Sequence, residues 1–256
     1  MGDFDIQKIN SIAIEAGKRI LEIYNSDFFD IESKFDSSPL TKADTCAHEF
    51  ICEALSGLQP NLPILSEENK GITAYEIRKN WESFWLVDPL DGTKEFIKRN
   101  GQFTVNIALI KNGRPILGVV YAPVLSALYF AEEGAGAFKM TNSKTERLIR
   151  EKSKTEKIRV VVSNSHLNQD TQDYISTLSK NADDIAYVKM GSSLKFCVLA
   201  EGIADIYPRL GPTMEWDTGA AHIIVKEAGM NIYSHETGLP LIYNKEDILN
   251  PSFITR

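Results

Sequence analysis

Between Asp5 and Asn25 the apolar residues Ile9, Ile12, Ala13, Ala16, Ile20, Leu21 and Ile23 recur at helical spacing, which predicts an amphipathic helix. A second helix is predicted from Thr41 or Lys42 through Ala47, Phe50, Ile51, Ala54 and Leu55 to Gly57, with Thr41 placed to cap it and Asp44 in its first turn. Residues 61–65 and 84–87 read as short buried strands, the first stopped by Ser66-Glu67-Glu68 and the second ending at Asp88. From Phe103 to Phe138 apolar runs are separated by brief turns, among them Lys111-Asn112-Gly113-Arg114, and an antiparallel meander is expected. Residues 141–157 are the most polar stretch, read as a solvated strand-and-loop connection and as the seam between two halves, 1–140 and 141–256. Beyond it strands at 158–162, 185–188 and 204–207 alternate with helices at 169–178, 192–200 and 216–228, followed by short strands near 231–233 and 241–243. The whole reads as a layered α/β (α+β) chain.

Composition narrows the function classes. With 256 residues, 43% hydrophobic and 25% charged, the chain has the profile of a globular protein with ample core. No segment approaches the ~20 apolar residues that span a membrane. Met1-Gly2-Asp3-Phe4-Asp5 lacks a secretory pattern, and Ile6 stands where myristoylation favours Ser or Thr. Cys46, Cys52 and Cys197 are odd in number and scattered, which fits reduced thiols in a cytoplasmic protein. The net charge is −7 and no Lys/Arg run offers a basic face, so nucleic acid is not an expected partner. An anionic substrate must be captured locally, by metal ions, helix N-termini or a few placed cations.

The strongest chemical signal is Asp88-Pro89-Leu90-Asp91-Gly92-Thr93 at the end of a predicted strand. Pro89 has no N–H to donate and Gly92 permits unusual backbone angles, so the ladder is expected to stop and the chain to turn there. Asp88, Asp91 and the Leu90 carbonyl can then point into one small volume. Like charges so close repel unless a hard cation with oxygen ligands joins them, and Mg²⁺ suits a site shared with phosphate. Asp and Gly are also ordinary turn formers, and Asp217 at a helix start can equally be a cap. Glu67-Glu68, after another buried strand, adds a further acidic cluster.

Taken together, Leu65-Ser66-Glu67-Glu68, Trp85 through Thr93, and Trp216-Asp217-Thr218-Gly219-Ala220-Ala221 resemble the inositol monophosphatase superfamily, in order and separation over essentially the whole chain. Within it, Thr93-Lys94-Glu95-Phe96-Ile97, Gly191-Ser192-Ser193-Leu194-Lys195-Phe196-Cys197, Tyr207-Pro208-Arg209 and Gly211-Pro212-Thr213 resemble the 3'(2'),5'-bisphosphate nucleotidases, which convert adenosine 3',5'-bisphosphate to AMP and phosphate. The resemblance implies an αβαβα sandwich with its site between the halves. It implies two or three Mg²⁺ ions: one on Glu67, Asp88 and the Leu90 carbonyl, a second on Asp88, Asp91 and Asp217, and a looser third near Glu67 and Glu68. Asp44 and Thr93 are implied to orient and deprotonate the attacking water, although Asp44 without the resemblance reads first as a first-turn residue favoured by the helix dipole.

The amides of Gly92 and Thr93 are expected to meet the hydrolysed phosphate, with Leu90, Asp91 and Asp217 beside it. Gly191, Ser192, Ser193, Lys195 and Arg209 are expected to take the phosphate that is retained. Ser163 and His166 match a segment bordering the nucleotide in relatives, and Lys94 and Glu95 flank the site. Lithium sensitivity is implied too, and a homodimer is one open possibility. Glu215 departs from the pattern, being acidic where relatives usually carry an uncharged residue. It faces either the cleft, where it would oppose a bisphosphate, or solvent.

Overall fold

A computed structural model of the chain describes residues 4–25, 31–33, 39–69, 71–150, 157–164, 167–181 and 184–256. His166 and the side chain of Thr41 lie outside the described residues. Helix α1 (Ile6–Tyr24) opens on Asp5, whose carboxylate accepts the Gln7 N–H at 2.9 Å, and its apolar stripe buries Ile9, Ile12, Ala13, Ala16 and Ile20. After the paired strands β1 (Ile31–Ser33) and β2 (Pro39–Thr41), helix α2 (Lys42–Ser56) packs against α1.

These helices cover one face of a seven-stranded sheet in the order β3 (Ile64–Ser66), β4 (Ser83–Asp91), β5 (Thr104–Lys111), β6 (Arg114–Ala122), β7 (Ala127–Glu132), β8 (Gly136–Thr141), β9 (Lys144–Leu148). β3 is parallel to β4, and the remaining neighbours form the expected antiparallel meander. Asn112 and Gly113, with φ of 49° and 72°, make the two-residue turn between β5 and β6, a conformation both residue types accept. Trp85, Val87, Ile107 and Val119 pack toward the α1 and α2 core, while the alternate residues Leu86, Ala108 and Val120 join the core of helix α7 (Trp216–Glu227) on the other face. Burial of both faces is why these strands read as continuous apolar runs.

The far layer is built from strands β10 (Ile158–Ser163) and β11 (Ile185–Met190), paired in parallel, and from an antiparallel sheet of β12 (Tyr207–Arg209), β14 (Phe253–Thr255) and β13 (Ile232–Ser234). Helix α6 (Leu194–Ala200) packs with α7 between the layers, and α5 (Gln169–Leu178), capped by the Asn168 side chain, packs on β12. The stacking is helix, sheet, helix, sheet, helix.

α7 lies very close to the large sheet. A Cβ on Gly118 would stand 2.3 Å from the Ala220 carbonyl oxygen and 2.5 Å from Ile223 Cγ2, and one on Gly219 would stand 2.7 Å from Leu86 Cδ2. Only bare backbone fits at both positions.

Several expected elements shift. β4 does not end at Asp88 but runs to Asp91, because the chain accommodates Pro89 in a bulge: Asp88 opposes Asn106 and Asp91 opposes Thr104, three steps against two. The strand expected at 204–207 lies at Tyr207–Arg209, preceded by a single bridge between Val160 and Ile206. No strand forms at 241–243: on that edge of β13 the Leu241 N–H bonds the Ile232 carbonyl and Tyr233 and Pro240 make a single bridge, while β14 pairs with β13 on its other edge. The short helices α3 (Tyr75–Arg78) and α4 (Thr93–Ile97) flank β4.

Overpacking at Gly118 should separate α7 from the sheet. Gly118→Val is expected to lower the unfolding free energy by about 1–3 kcal/mol in urea denaturation. Gly71→Ala, where a Cβ would meet nothing within 4 Å, is expected to change it by less than about 0.5 kcal/mol.

Candidate active site

The β4 bulge sets the centre of the site. Asp88 is fully buried on the strand, and its Oδ1 accepts the Leu90 N–H at 3.1 Å across the bulge. Its Oδ2 is also buried and has no hydrogen-bond partner among the described residues. Asp91, three positions on, returns to the same side. Asp217 in the first turn of α7 brings a third carboxylate, and one oxygen from each of Asp88, Asp91 and Asp217 lies within 4.8 Å of the others. Because β3 is parallel to β4, the Glu67 N–H bonds the Val87 carbonyl at 3.2 Å and Glu67 arrives beside Asp88.

The electrostatic consequence is clear in the acids themselves. Burial pushes Asp88 well above the ordinary carboxylate range, and Glu67, Asp91, Asp217 and Asp44 push it further. Asp217 is raised to about 8, by burial first and then by Asp91 and Glu67, against the opposing pull of the Met214 N–H it accepts at 2.7 Å. A buried acceptor without a donor, ringed by acids that resist ionising together, is an oxygen-rich pocket that fits a hard divalent cation. The donor set contains carboxylates but no thiol or imidazole, which favours Mg²⁺-like ions over zinc.

The carboxylates Glu67, Asp91 and Asp217 open onto a cleft of about 270 Å³ between the two layers, with Asp88 seated behind them. Gly92, in the left-handed region at φ 96°, turns the chain into α4, so that Gly92 and Thr93 line the cleft. The Thr93 hydroxyl donates to the Leu90 carbonyl at 3.5 Å, and Asp44 is fully buried in the first turn of α2. Lys94, Lys195 and Arg209 line the same cleft, with Ser163 and Ser192. Lys195 is lowered by burial and by Arg209, and is held up by Asp91, Glu95 and Asp217. An acidic floor and a cationic wall thus share one small volume.

Other expected groups face elsewhere. The Gly191 N–H is donated to Gln102 Oε1 at 2.7 Å, and a Cβ on Gly191 would stand 2.7 Å from Glu95 Cγ, so this glycine packs against α4 and the loop before β5. The buried Ser193 hydroxyl lies 2.7 Å from Asp91 Oδ2 and 3.0 Å from the Asp217 carbonyl, bonding the acidic cluster. Glu215 faces neither cleft nor solvent. It is fully buried and bonded to residues 244 and 245 behind α7.

Two residues that sequence reasoning passed over belong to the site. Asn106 donates to Ser193 Oγ at 2.9 Å and to Asp91 Oδ2 at 3.4 Å. As the single polar residue inside Phe103 to Ile110 apart from Thr104, it carried a signal. Gln102 Oε1 also accepts from Asn164 Nδ2 at 2.6 Å, joining the loop before β5 to the end of β10; nothing local in the sequence marks it.

A sequence model described as the inositol monophosphatase family matches residues 5–254. The 3'(2'),5'-bisphosphate nucleotidase CysQ of Escherichia coli K12 is 44% identical over 253 residues, covering 97% of this chain and 98% of that protein. The crystal structure of CysQ from Bacteroides thetaiotaomicron is similar at a TM-score of 0.89 with 45% identity, covering 98% of this chain and 96% of that one. An IMPase structure from Thermotoga maritima, at 24% identity and a TM-score of 0.77 over 96% and 89% of the two chains, shares the fold.

The raised acids make stability fall with pH. The cation-free folded protein keeps on Asp217 a proton that an unfolded chain releases near pH 4, and holds it until about pH 8. Asp88 acts in the same sense. The folded state therefore binds more protons across that window, and stability declines as pH rises through it. Urea denaturation of chelator-treated protein from pH 5 to 8 is expected to show the decline, Asp217→Asn to lessen it, and added Mg²⁺ to reverse it at pH 8.

Proposed function

The chain belongs to the inositol monophosphatase family, and we propose that it is a Mg²⁺-dependent 3'(2'),5'-bisphosphate nucleotidase that hydrolyses adenosine 3',5'-bisphosphate to AMP and phosphate. One observation carries the substrate: in an acidic chain, three cations, Lys94, Lys195 and Arg209, line the same cleft as the carboxylates. The acids suit cation-assisted attack on one phosphate, and Lys195 with Arg209 provides for a second that is kept. Relatives of 44% identity over nearly the whole chain bear that nucleotidase name.

In this reading Glu67, Asp88 and the Leu90 carbonyl hold one cation, and Asp88, Asp91 and Asp217 hold another. Bound there, divalent cations supply Lewis acidity that offsets charge on the attacked phosphate and leaving oxygen and eases ionisation of water. Asp44 and Thr93 orient the attacking water and accept its proton. As the water oxygen bonds to phosphorus, the bond to the 3'-oxygen breaks and that oxygen takes up a proton from solvent. The Gly92 and Thr93 amides point to the phosphate under attack. Lys195 and Arg209 hold the 5'-phosphate, Ser192 and Ser163 border it, and Ser193 and Asn106 fix Asp91. His166 is assigned to the nucleotide border on the resemblance alone. The three thiols are free in the structure, in keeping with a reducing, cytoplasmic setting.

Phosphate release from adenosine 3',5'-bisphosphate is expected to exceed release from inositol 1-phosphate, and to be inhibited by Li⁺; a preference for inositol 1-phosphate would overturn the substrate. Asp91→Asn is expected to lower kcat at least about 100-fold, more than the loss usual on removing a residue that merely supports a ligand. Lys195→Met is expected to lower kcat/KM for the bisphosphate about 10–100-fold, the worth of one charge-assisted hydrogen bond, while hydrolysis of adenosine 3'-monophosphate changes little. Equal losses on both substrates would detach Lys195 from the 5'-phosphate.

A further inference from the structure

Behind the first turn of α7 lies a polar anchor that no part of the hydrolytic scheme uses. Glu215, two residues before Asp217, is wholly inaccessible to solvent. Its Oε2 accepts the Asn244 N–H at 2.7 Å, and its Oε1 accepts the Lys245 N–H at 3.0 Å and pairs with the Lys245 ammonium. The same turn is stitched to the same loop by backbone: the Glu215 N–H bonds the Ile248 carbonyl at 3.0 Å, and the Asn250 N–H bonds the Thr213 carbonyl at 2.8 Å. Asn250 Nδ2 reaches the Met214 carbonyl at 2.7 Å.

The loop itself is fixed from the other side. Arg78 of α3, only 2% exposed, donates to Asn244 Oδ1 and to the carbonyls of Lys245 and Glu246, while Asn244 Nδ2 donates to the Arg78 carbonyl. Thus α3, the 244–250 loop and residues 213–215 form one hydrogen-bonded block. Asp217 is tied to it directly, because its Oδ2 takes the Met214 N–H.

A buried ion pair adds little net stability over an apolar pair of the same shape, so stability alone is a weak reason for this one. What it does provide is direction. Once ionised to take a cation, Asp217 is repelled by Asp91 and Glu67, and the first turn of α7 would relax away from them if it were free. We propose that Glu215 and Lys245 are positioning residues that hold Asp217 at the distance from Asp88 and Asp91 that a divalent cation requires. This rests on the reading of Asp217 as a cation ligand. The acid that looked like an intrusion on the cleft then serves the cleft from behind.

The test measures Mn²⁺ binding to the substrate-free protein by electron paramagnetic resonance, beside thermal denaturation and steady-state kinetics. Glu215→Gln and Lys245→Met are expected to weaken Mn²⁺ binding about tenfold, to raise the Mg²⁺ needed for half-maximal rate to a similar extent, and to leave the nucleotide KM at saturating Mg²⁺ within about twofold. Lys245→Arg, which restores the pair, is expected to bind Mn²⁺ as the unaltered protein does. If Glu215→Gln proves too unstable to purify, Lys245→Met and Lys245→Arg carry the same comparison. Mn²⁺ affinity unchanged in folded Lys245→Met, or equal loss in Lys245→Met and Lys245→Arg, would overturn the proposal. Asp217→Asn in the same assay separates the premises. If it binds Mn²⁺ normally, the ligand reading itself is wrong. If it loses affinity while the Glu215 and Lys245 variants do not, only the positioning role falls.

Discussion

Carboxylates crowded around a buried Asp88 repel one another, and much of the architecture near the cleft resists that repulsion. Three devices do so, each from a different element. The bulge in β4 bends Asp91 back toward Asp88 and returns an N–H from Leu90 to Asp88 Oδ1. From β5 and the turn before α6, Asn106 and Ser193 supply hydrogen bonds to Asp91. Asp217 takes the N–H of Met214 and rides on a helix pressed against backbone at Gly118. None of these contacts neutralises the charge. They fix its position, leaving an oxygen-rich volume that a cation can fill, displacing protons, without the protein having to rearrange.

The two layers must also be held in register, since the acids come mainly from the large sheet, Arg209 from β12 of the far layer and Lys195 from α6 between the layers. Gln102 does this with one oxygen, accepting from Gly191 on one side and Asn164 on the other. The close approaches at Gly92, where a Cβ would stand 3.2 Å from Ser192 Cβ, and at Gly191 against Glu95 bring the cationic wall within reach of the acidic floor. Lys195 feels both: burial and Arg209 disfavour its charge, while Asp91, Glu95 and Asp217 favour it.

How much of this the sequence disclosed depends on the range of the forces involved. α1, α2 and α5 were legible because a helical stripe is local and each packs one face, and the meander was legible because Asn112-Gly113 fixes a tight turn. The αβαβα stacking and the acids Glu67, Asp88, Asp91 and Asp217 came through motif resemblance. The continuation of β4 past Pro89 was not legible, since whether a proline ends a strand or sits in a bulge depends on the partner strand. Nor was the shrinking of the strand expected at 241–243 to a single bridge between Tyr233 and Pro240, since how far pairing extends along β13 is set by tertiary contacts. Glu215 shows the limit most plainly. Its neighbours in sequence suggest a cleft residue, yet its partners Asn244 and Lys245 lie about thirty positions away.

Net charge then bears on the order of events. On the proposed assignment, in a chain of −7, Glu67 and Asp91 repel a bisphosphate at the end where hydrolysis is to occur, while Lys195 and Arg209 attract its other end. A bisphosphate entering without cations would therefore be drawn to the cationic wall and turned away from the acids, a placement that binds without reacting. With cations on the floor the sign there inverts and both phosphates are attracted at once. Binding energy from the retained phosphate can then go toward orienting the reacting one, which is the use that raises turnover rather than merely tightening binding. On this argument a monophosphate lacking the second anion loses orientation as well as affinity, so discrimination arises from the charge of the retained phosphate.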